Sequence, residues 1–314
     1  MKDTLTIKPF YSKEHKKIVP FLRNFDPNTE VASWERLLTY TWENQIGYQG
    51  YVMEKGQEIV GFLSYVISQQ KFGNKSFNVC NISTWVVKNE YRTKSIQLLS
   101  NVFKIPNVLV LNLSPHVNTL SIFKALRFEV LSEFEYRINP IKVLLEKKTA
   151  SNKKIKFEII NKNNSESLSP DAKKIIEEHR EYNNIHFYKL VNEDFVNKEL
   201  ILGFNQKKTI VKGLKNNLKE SPYKLLGRKI QLELFYCSEI NDLKLHFEKI
   251  ILSITKNLNY RSLIISEHFL RKTEPEYKFL SKYKKPCDWY YYTENEIDPA
   301  LINLLYSEKV LLNF

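Results

Sequence analysis

The segment Trp85-Val86-Val87-Lys88-Asn89-Glu90-Tyr91-Arg92-Thr93-Lys94-Ser95-Ile96-Gln97 holds the densest chemical signal in the chain. A strand-like run ends at Lys88, a short polar loop follows, and Ile96, Leu99 and Phe103 then recur at helical spacing. The first amides of a helix have no intrahelical partner, and the helix dipole makes the same end positive. Such a start binds phosphate. Arg92 and Lys94 add two positive charges at that point, so a pyrophosphate is a ligand the segment suits. Farther on, His116 follows the apolar run Val108–Leu113. An unperturbed imidazole titrates near ~6.5, which suits a general base at neutral pH. His116 can equally be a loop residue beside Pro115 or a neighbour of a helix cap. Asn118 can cap the next helix or reach a bound cofactor.

The elements that must position these residues follow from periodicity. Leu5–Phe10 reads as a strand, and Ser12 can cap a helix from Lys13 to Phe25 that Pro27 ends. Val31 to Trp42 has helical spacing of Trp34, Leu37 and Leu38. Three strands, Gln49–Glu54, Ile59–Gln69 and Phe77–Lys88, are separated by the turn signals Lys55–Gly56 and Gly73–Asn74, as in an antiparallel meander. Helix Lys94–Phe103, strand Val108–Leu113, helix Asn118–Leu126 and strand Phe128–Tyr136 then alternate. The Lys-rich stretch 141–154 is expected to link a first domain, 1–140, to a second, 155–314. The second half has strands at Ile155–Ile160, Thr209–Leu214, Lys229–Ser238, Ser262–Ser266 and Asp288–Thr293. Its helices are Pro170–Tyr182 and an amphipathic one from Leu243 to Leu258.

The order of motifs resembles the GNAT (GCN5-related N-acetyltransferase) superfamily over about Leu5 to Ile138. The carrying residues are strand Phe77–Lys88, then Tyr91-Arg92 and a helix, then strand, helix and strand ending in Phe123-Lys124-Ala125-Leu126-Arg127-Phe128. The resemblance implies an α/β fold of the α+β type, with a mixed central sheet flanked by helices. It also implies an acyl-CoA ligand, acetyl-CoA or a longer thioester. Trp85, Val86 and Val87 would hold the pantetheine arm and thioester carbonyl on a strand splayed from its neighbour. Backbone amides of Arg92, Thr93, Lys94, Ser95, Ile96 and Gln97 would hold the pyrophosphate, with Asn118 within reach of the cofactor. His116 would be the catalytic base.

Several positions depart from the family pattern. Thr93, Ser95 and Gln97 stand where it has glycine or another small residue, Phe123 where it has a tyrosine, and Arg127 where it has a glycine. Phenylalanine has no proton to give a leaving thiolate. Asn81, where a carboxylate is common, is no base. The second half matches the fold only in element order, and its loop Ser238-Glu239-Ile240-Asn241-Asp242 carries two carboxylates that repel phosphate. It reads as a degenerate GNAT-like copy or an accessory domain. Two functions stay open: an N- or O-acyltransferase acting on a sugar or amino acceptor of bacterial surface-polysaccharide or cell-wall synthesis, or a catalytically inactive binding or assembly module. Trp34 and Trp42, and the group Tyr283 and Trp289 to Tyr292, could line the acceptor side or fill cores. His116 and some of Trp289 to Tyr292 are expected at one shared cleft beside Trp85.

Composition narrows the partners. With 43% hydrophobic residues in 314, the chain can bury two cores. No apolar run reaches the ~20 residues of a membrane helix, and Met1 to Phe10 lacks a signal-peptide core, so a soluble cytoplasmic protein without membrane insertion is expected. Cys80, Cys237 and Cys287 are far apart and form no metal or disulfide pattern, and the six histidines are scattered, so no metal is expected. The net charge of +13 favours anionic ligands, but its lysines form no nucleic-acid patch; Lys147–Lys148 and Lys153–Lys154 flank the expected linker. A polyanionic cofactor with a small-molecule or glycan-precursor acceptor is favoured over nucleic acid.

Overall fold

The computed structural model describes residues 4–43, 45–72, 74–146, 155–160, 168–208, 230–273 and 276–312. The expected strand Thr209–Leu214 and the lysine pairs at 147–148 and 153–154 lie outside them. Two compact units are present, and neither is contiguous in sequence. The first comprises residues 1–131, 287–298 and 306–314, and the second 132–286 and 299–305.

The first unit opens with β1 (Leu5–Pro9), α1 (His15–Phe25) and α2 (Val31–Leu38), followed by β2 (Gly50–Lys55), β3 (Glu58–Phe72) and β4 (Lys75–Val87). A 3-10 helix, Asn89–Lys94, leads into α3 (Ile96–Val102), β5 (Val108–Asn112), α4 (Leu120–Ala125) and the start of β6 (Glu129–Ile138). The chain then enters the second unit with the rest of β6, α5 (Pro140–Leu145), β7 (Lys156–Ile159), α6 (Pro170–His179), β8 (Ile185–Val191) and β9 (Glu199–Lys208). Next come β10 (Ile230–Cys237), α7 (Ile240–Leu245), α8 (Phe247–Asn257), β11 (Ser262–Ser266) and the first part of β12 (Leu280–Thr293). The end of β12 and α9 (Glu308–Leu312) return to the first unit.

In the first unit β1 to β4 pair antiparallel in chain order, β5 joins β4 in parallel, and Tyr290–Thr293 of β12 run antiparallel to β5. Every residue of β5 is buried, as expected of a strand covered on both faces. In the second unit β7, β8, β9 and β10 pair antiparallel, β11 joins β10 in parallel, and β6 runs antiparallel to β11. Strand for strand this is the pairing order of the first unit. In both units the sixth strand comes from a segment distant in sequence.

Several elements differ from the sequence expectation. Ser12 opens a 3-10 turn, Ser12–Glu14, and does not cap α1. α2 stops at Leu38 because the next residues serve tertiary contacts: the Tyr40 hydroxyl accepts from Ile67 N at 2.9 Å, and Trp42 packs on Tyr40 and Tyr306. Trp34 and Trp42 are buried, so both belong to the core. The start of the expected 141–154 linker is helical, in α5, where the Asn139 side chain caps the helix and Pro140 occupies its first turn. β8 and β9 had no place in the sequence reading. Trp289, Tyr290 and Tyr291 are buried in the first unit; Tyr290 stacks on Phe123 at 5.9 Å, and Tyr292 packs against Phe103 and Phe128. Among the described residues no helix is long and apolar enough to cross a membrane.

Candidate functional site

The site begins with an irregularity in β4. Its register with β3 shifts between Ser64 and Tyr65, which pair with Thr84 and Ile82, so Ser83 is an extra residue on β4. Such a bulge bends a strand and strengthens its twist. On its other side β4 is in register with β5 only from Asn78 to Asn81, opposite Val108 to Leu111. Beyond Asn81 the pairing ends: β4 runs on to Val87 while β5 stops at Asn112.

Backbone alternation shows which amides the end of the pairing exposes. Lys88 N–H donates to Val60 O of β3 at 2.8 Å. With a period of two, Val86 and Thr84 also direct their amides to β3. The amides of Trp85 and Val87 therefore point away from β3, toward the side on which β5 has ended.

A pocket of 370 Å³ opens at this place, and its lining joins Trp85, Val86 and Val87 of β4, Arg92 and Ser95 of the turn after it, and His116, Asn118, Thr119 and Ile122 of the later loop and helix, with Phe25. All these residues are in the first unit. The structure thus brings together seven residues singled out in the sequence: Trp85, Val86, Val87, Arg92, Ser95, His116 and Asn118.

Thr93, Lys94, Ile96 and Gln97 are exposed and do not line the pocket. The loop is wound tighter than expected. Instead of entering an α-helix directly, Asn89–Lys94 forms a 3-10 helix in which Tyr91 N–H donates to Lys88 O and Ser95 N–H to Arg92 O. The Ser95 amide, one of those expected to meet the pyrophosphate, is thereby used within the chain. A loop lacking the glycines of the family pattern winds into a local helix where a glycine loop would lay its backbone open. The Arg92 and Ser95 side chains line the pocket at this loop.

His116 takes the capping role that the sequence assigned to Asn118. Its Nδ1 accepts from Asn118 N–H at 3.3 Å, and its carbonyl accepts from Thr119. An amide N–H can only donate, so Nδ1 carries no proton in this arrangement, a neutral ring has its proton on Nε2, and the ring's lone pair is engaged rather than open for the expected base role. Phe123 is fully buried, in contact with Trp85, Phe128 and Tyr290. Arg127 has φ 61, a left-handed conformation that glycine adopts readily and arginine rarely. Arg127 stands where the resembled pattern has a glycine, and its backbone conformation is one that suits glycine.

The corresponding loop of the second unit is closed by its own carboxylates. Glu239 accepts from Asn197 Nδ2 at 2.7 Å, and the buried Asp242 accepts from Val196 N–H at 3.0 Å. Burial and the nearby Asp242 push the Glu239 carboxyl up. Among the described residues no three His, Cys, Asp or Glu side chains are grouped to hold a metal ion.

One residue at the site escaped the sequence reading. Glu308 of α9 is buried against Asn81 and Ser114 at the end of the β4–β5 pairing. Nothing in its local sequence, Tyr306-Ser307-Glu308-Lys309, marks it out.

No family model and no curated protein sequence matches the chain. Solved structures do. A protein of Enterococcus faecalis V583 described as a probable N-acyltransferase aligns with TM-score 0.54 and 13% identity, covering 95% of this chain and 73% of that one. A GCN5-related N-acetyltransferase from Anabaena variabilis ATCC 29413 aligns with TM-score 0.53 and 12% identity, covering 93% and 73%. Another from Kribbella flavida aligns with TM-score 0.50 and 12% identity, covering 92% and 72%. With the bulged fourth strand, the β4–β5 pairing that ends at Asn81 and the mixed sheet flanked by helices, these likenesses show that the chain has a GNAT-like fold.

Proposed function

We propose that the first unit is an acyl-CoA-dependent N- or O-acyltransferase domain. The observation that carries the reading is the 370 Å³ pocket beside the end of the β4–β5 pairing. Its wall offers the outward amides of Trp85 and Val87 to a pantetheine arm and a thioester carbonyl. Arg92, in the pocket lining, would act as a charge-assisted donor to a phosphate. Ser95 and Asn118 add short polar side chains. The other solved structures of this fold reported above are described as N-acetyltransferases or as a probable N-acyltransferase, which favours acyl transfer over other uses of such a pocket.

His116 is the proposed catalytic residue of the pocket, donating a hydrogen bond from Nε2–H to the reacting carbonyl oxygen. The second unit repeats the pairing order without an open phosphate loop, which supports reading it as a degenerate copy or accessory domain. An acceptor from surface-polysaccharide or cell-wall synthesis remains the favoured class.

Isothermal titration with acetyl-CoA and longer acyl-CoAs tests the reading. Saturable binding is expected, and no binding at high ligand concentration would remove it. His116→Ala should lower turnover by roughly 10²-fold with CoA affinity unchanged; an unaltered rate takes His116 out of the mechanism. Two observations favour the alternative of an inactive GNAT-fold module: Phe123 has no hydroxyl, and the Ser95 amide is used within the chain. Tight CoA binding without thiol release, across sugar and amine acceptors, would decide for it.

A further inference from the structure

Outside the pocket, one ionisable group sits where the β4–β5 pairing ends. Glu308, the first residue of α9, is 1% exposed. Its Oε2 accepts from Asn81 Nδ2 at 2.6 Å, and its Oε1 from Ser114 Oγ at 2.7 Å. Asn81 is the last residue of β4 in register with β5, and Ser114 lies just beyond the end of β5. The carboxyl therefore spans the end of the pairing.

Buried carboxylates usually face a cation, because an unpaired buried charge loses its hydration without compensation. Glu308 bonds instead to an amide and a hydroxyl. Lys309, next along the helix, is the charge that acts on it, and the Lys309 ammonium lies over the Trp289 ring at 4.0 Å. α2, packed on α9, brings Glu35 and Arg36, and neither acts on the carboxyl. Burial pushes the Glu308 carboxyl up from the usual range, against the weaker pull of Ser114, Lys309 and Asn81.

Two further facts concern its partners. Ser114 is an exposed residue, so its hydroxyl joins a buried carboxyl to the surface of the loop that carries His116. Asn81 is fully buried, and its Oδ1 has no hydrogen-bond partner. A buried acceptor without a protein donor is rare and costly, and here it belongs to the same side chain that holds the Glu308 carboxyl.

We propose that Ser114 and Glu308 form the proton-accepting pair for the nucleophile that receives the acyl group. The inference rests on the acyltransferase reading above. Ser114 is the catalytic residue of the pair, touching the acceptor, and Glu308 positions it and holds the proton. The acceptor nitrogen or oxygen attacks the thioester carbonyl carbon; its bond to that carbon forms and the C–S bond breaks. The acceptor's proton passes to Ser114 Oγ as the Ser114 proton passes to Glu308 Oε1. Glu308 then returns a proton through the same hydroxyl to the departing CoA thiolate or to water. No electrons are gained or lost. His116 uses Nδ1 to hold Asn118 N–H, so Ser114 is the group on this loop with a route to a buried base.

The test uses the full chain, acetyl-CoA as donor and hydroxylamine as a small amine probe, with CoA thiol release followed between pH values on both sides of neutrality. Glu308→Gln and Ser114→Ala should keep the wild-type affinity for acetyl-CoA. Both should lose roughly 10²-fold in transfer, together with the limb in which rate rises with pH. Ser114→Thr, which retains a hydroxyl, should recover most of the rate. Carbon NMR of carboxyl-labelled glutamate gives a readout independent of turnover. The signal missing from Glu308→Gln should titrate above the ordinary glutamate value of about 4.3 and shift in Ser114→Ala. A Glu308→Gln variant with wild-type rate and pH profile overturns the pair, as does a Glu308 signal with ordinary titration. A wild-type protein that fails to bind acetyl-CoA overturns the parent reading instead.

Discussion

His179 should make the protein lose stability in mild acid. It closes α6, is fully buried, and directs Nδ1 to Ile175 O at 2.8 Å and Nε2 to Leu305 O at 3.2 Å. Desolvation disfavours the imidazolium more strongly than the two carbonyls favour it, and pushes the pKa down from 6.5 to about 4. In the unfolded chain the group keeps its ordinary value. Between these two values the unfolded chain holds a proton that the native protein does not, so stability rises with pH there. The contribution is fully present above 6.5 and is lost as pH falls through about 4. The gap between the two values corresponds to about 3 kcal/mol. Urea unfolding of the wild type and of His179→Gln, each at neutral pH and near pH 4, isolates this amount. The cost of the substitution itself is common to both pH values and cancels in the comparison. The variant should lose less stability on acidification, by about 3 kcal/mol. Equal losses, or a His179 ring signal titrating near 6.5 in NMR, would refute the assignment of a buried neutral imidazole.

Two more outcomes follow from the first unit. Arg92→Ala should weaken acetyl-CoA binding roughly tenfold at low salt, with a smaller gap at high salt, because the proposed phosphate contact is charged and exposed; an unchanged Kd in titration calorimetry would place the phosphates elsewhere. Gly50→Ala should cost at least about 2 kcal/mol in urea unfolding. Its Cβ would lie 2.2 Å from Leu63 O and 2.9 Å from Ser64 Cα, both backbone atoms, and a variant with an unshifted midpoint would contradict that packing.

The site was legible in sequence where chemistry and local period coincide. The run Trp85 to Val87, Arg92 and Ser95 lies on one strand and the turn after it, and His116 and Asn118 on one later loop. The family resemblance that their order carries implied a common place, and all of them line the one pocket described above. The meander of β2 to β4, the buried strand β5 and the crossover helix were legible for the same reason: each has its own periodicity and turn signals, which are properties of neighbouring residues.

Other features were decided by partners distant in sequence. The bulge at Ser83 depends on how β4 meets β3, and the end of the β4–β5 pairing on how far β5 extends beside β4; neither leaves a mark in a single strand's pattern. The aromatic run Trp289 to Tyr292 looked equally like a binding wall or a core, and only its pairing with β5 placed it in the first unit against Phe123 and Phe128. Helical spacing continued past Leu38, but Tyr40 and Trp42 gain more from β3 and Tyr306 than from another helical turn. Glu308 is the extreme case. A glutamate on a short C-terminal helix reads as a solvated charge, and 227 residues separate it from Asn81. Local sequence determines which conformations a segment prefers, whereas the burial that changes a carboxyl's chemistry exists only once the chain has folded back on itself.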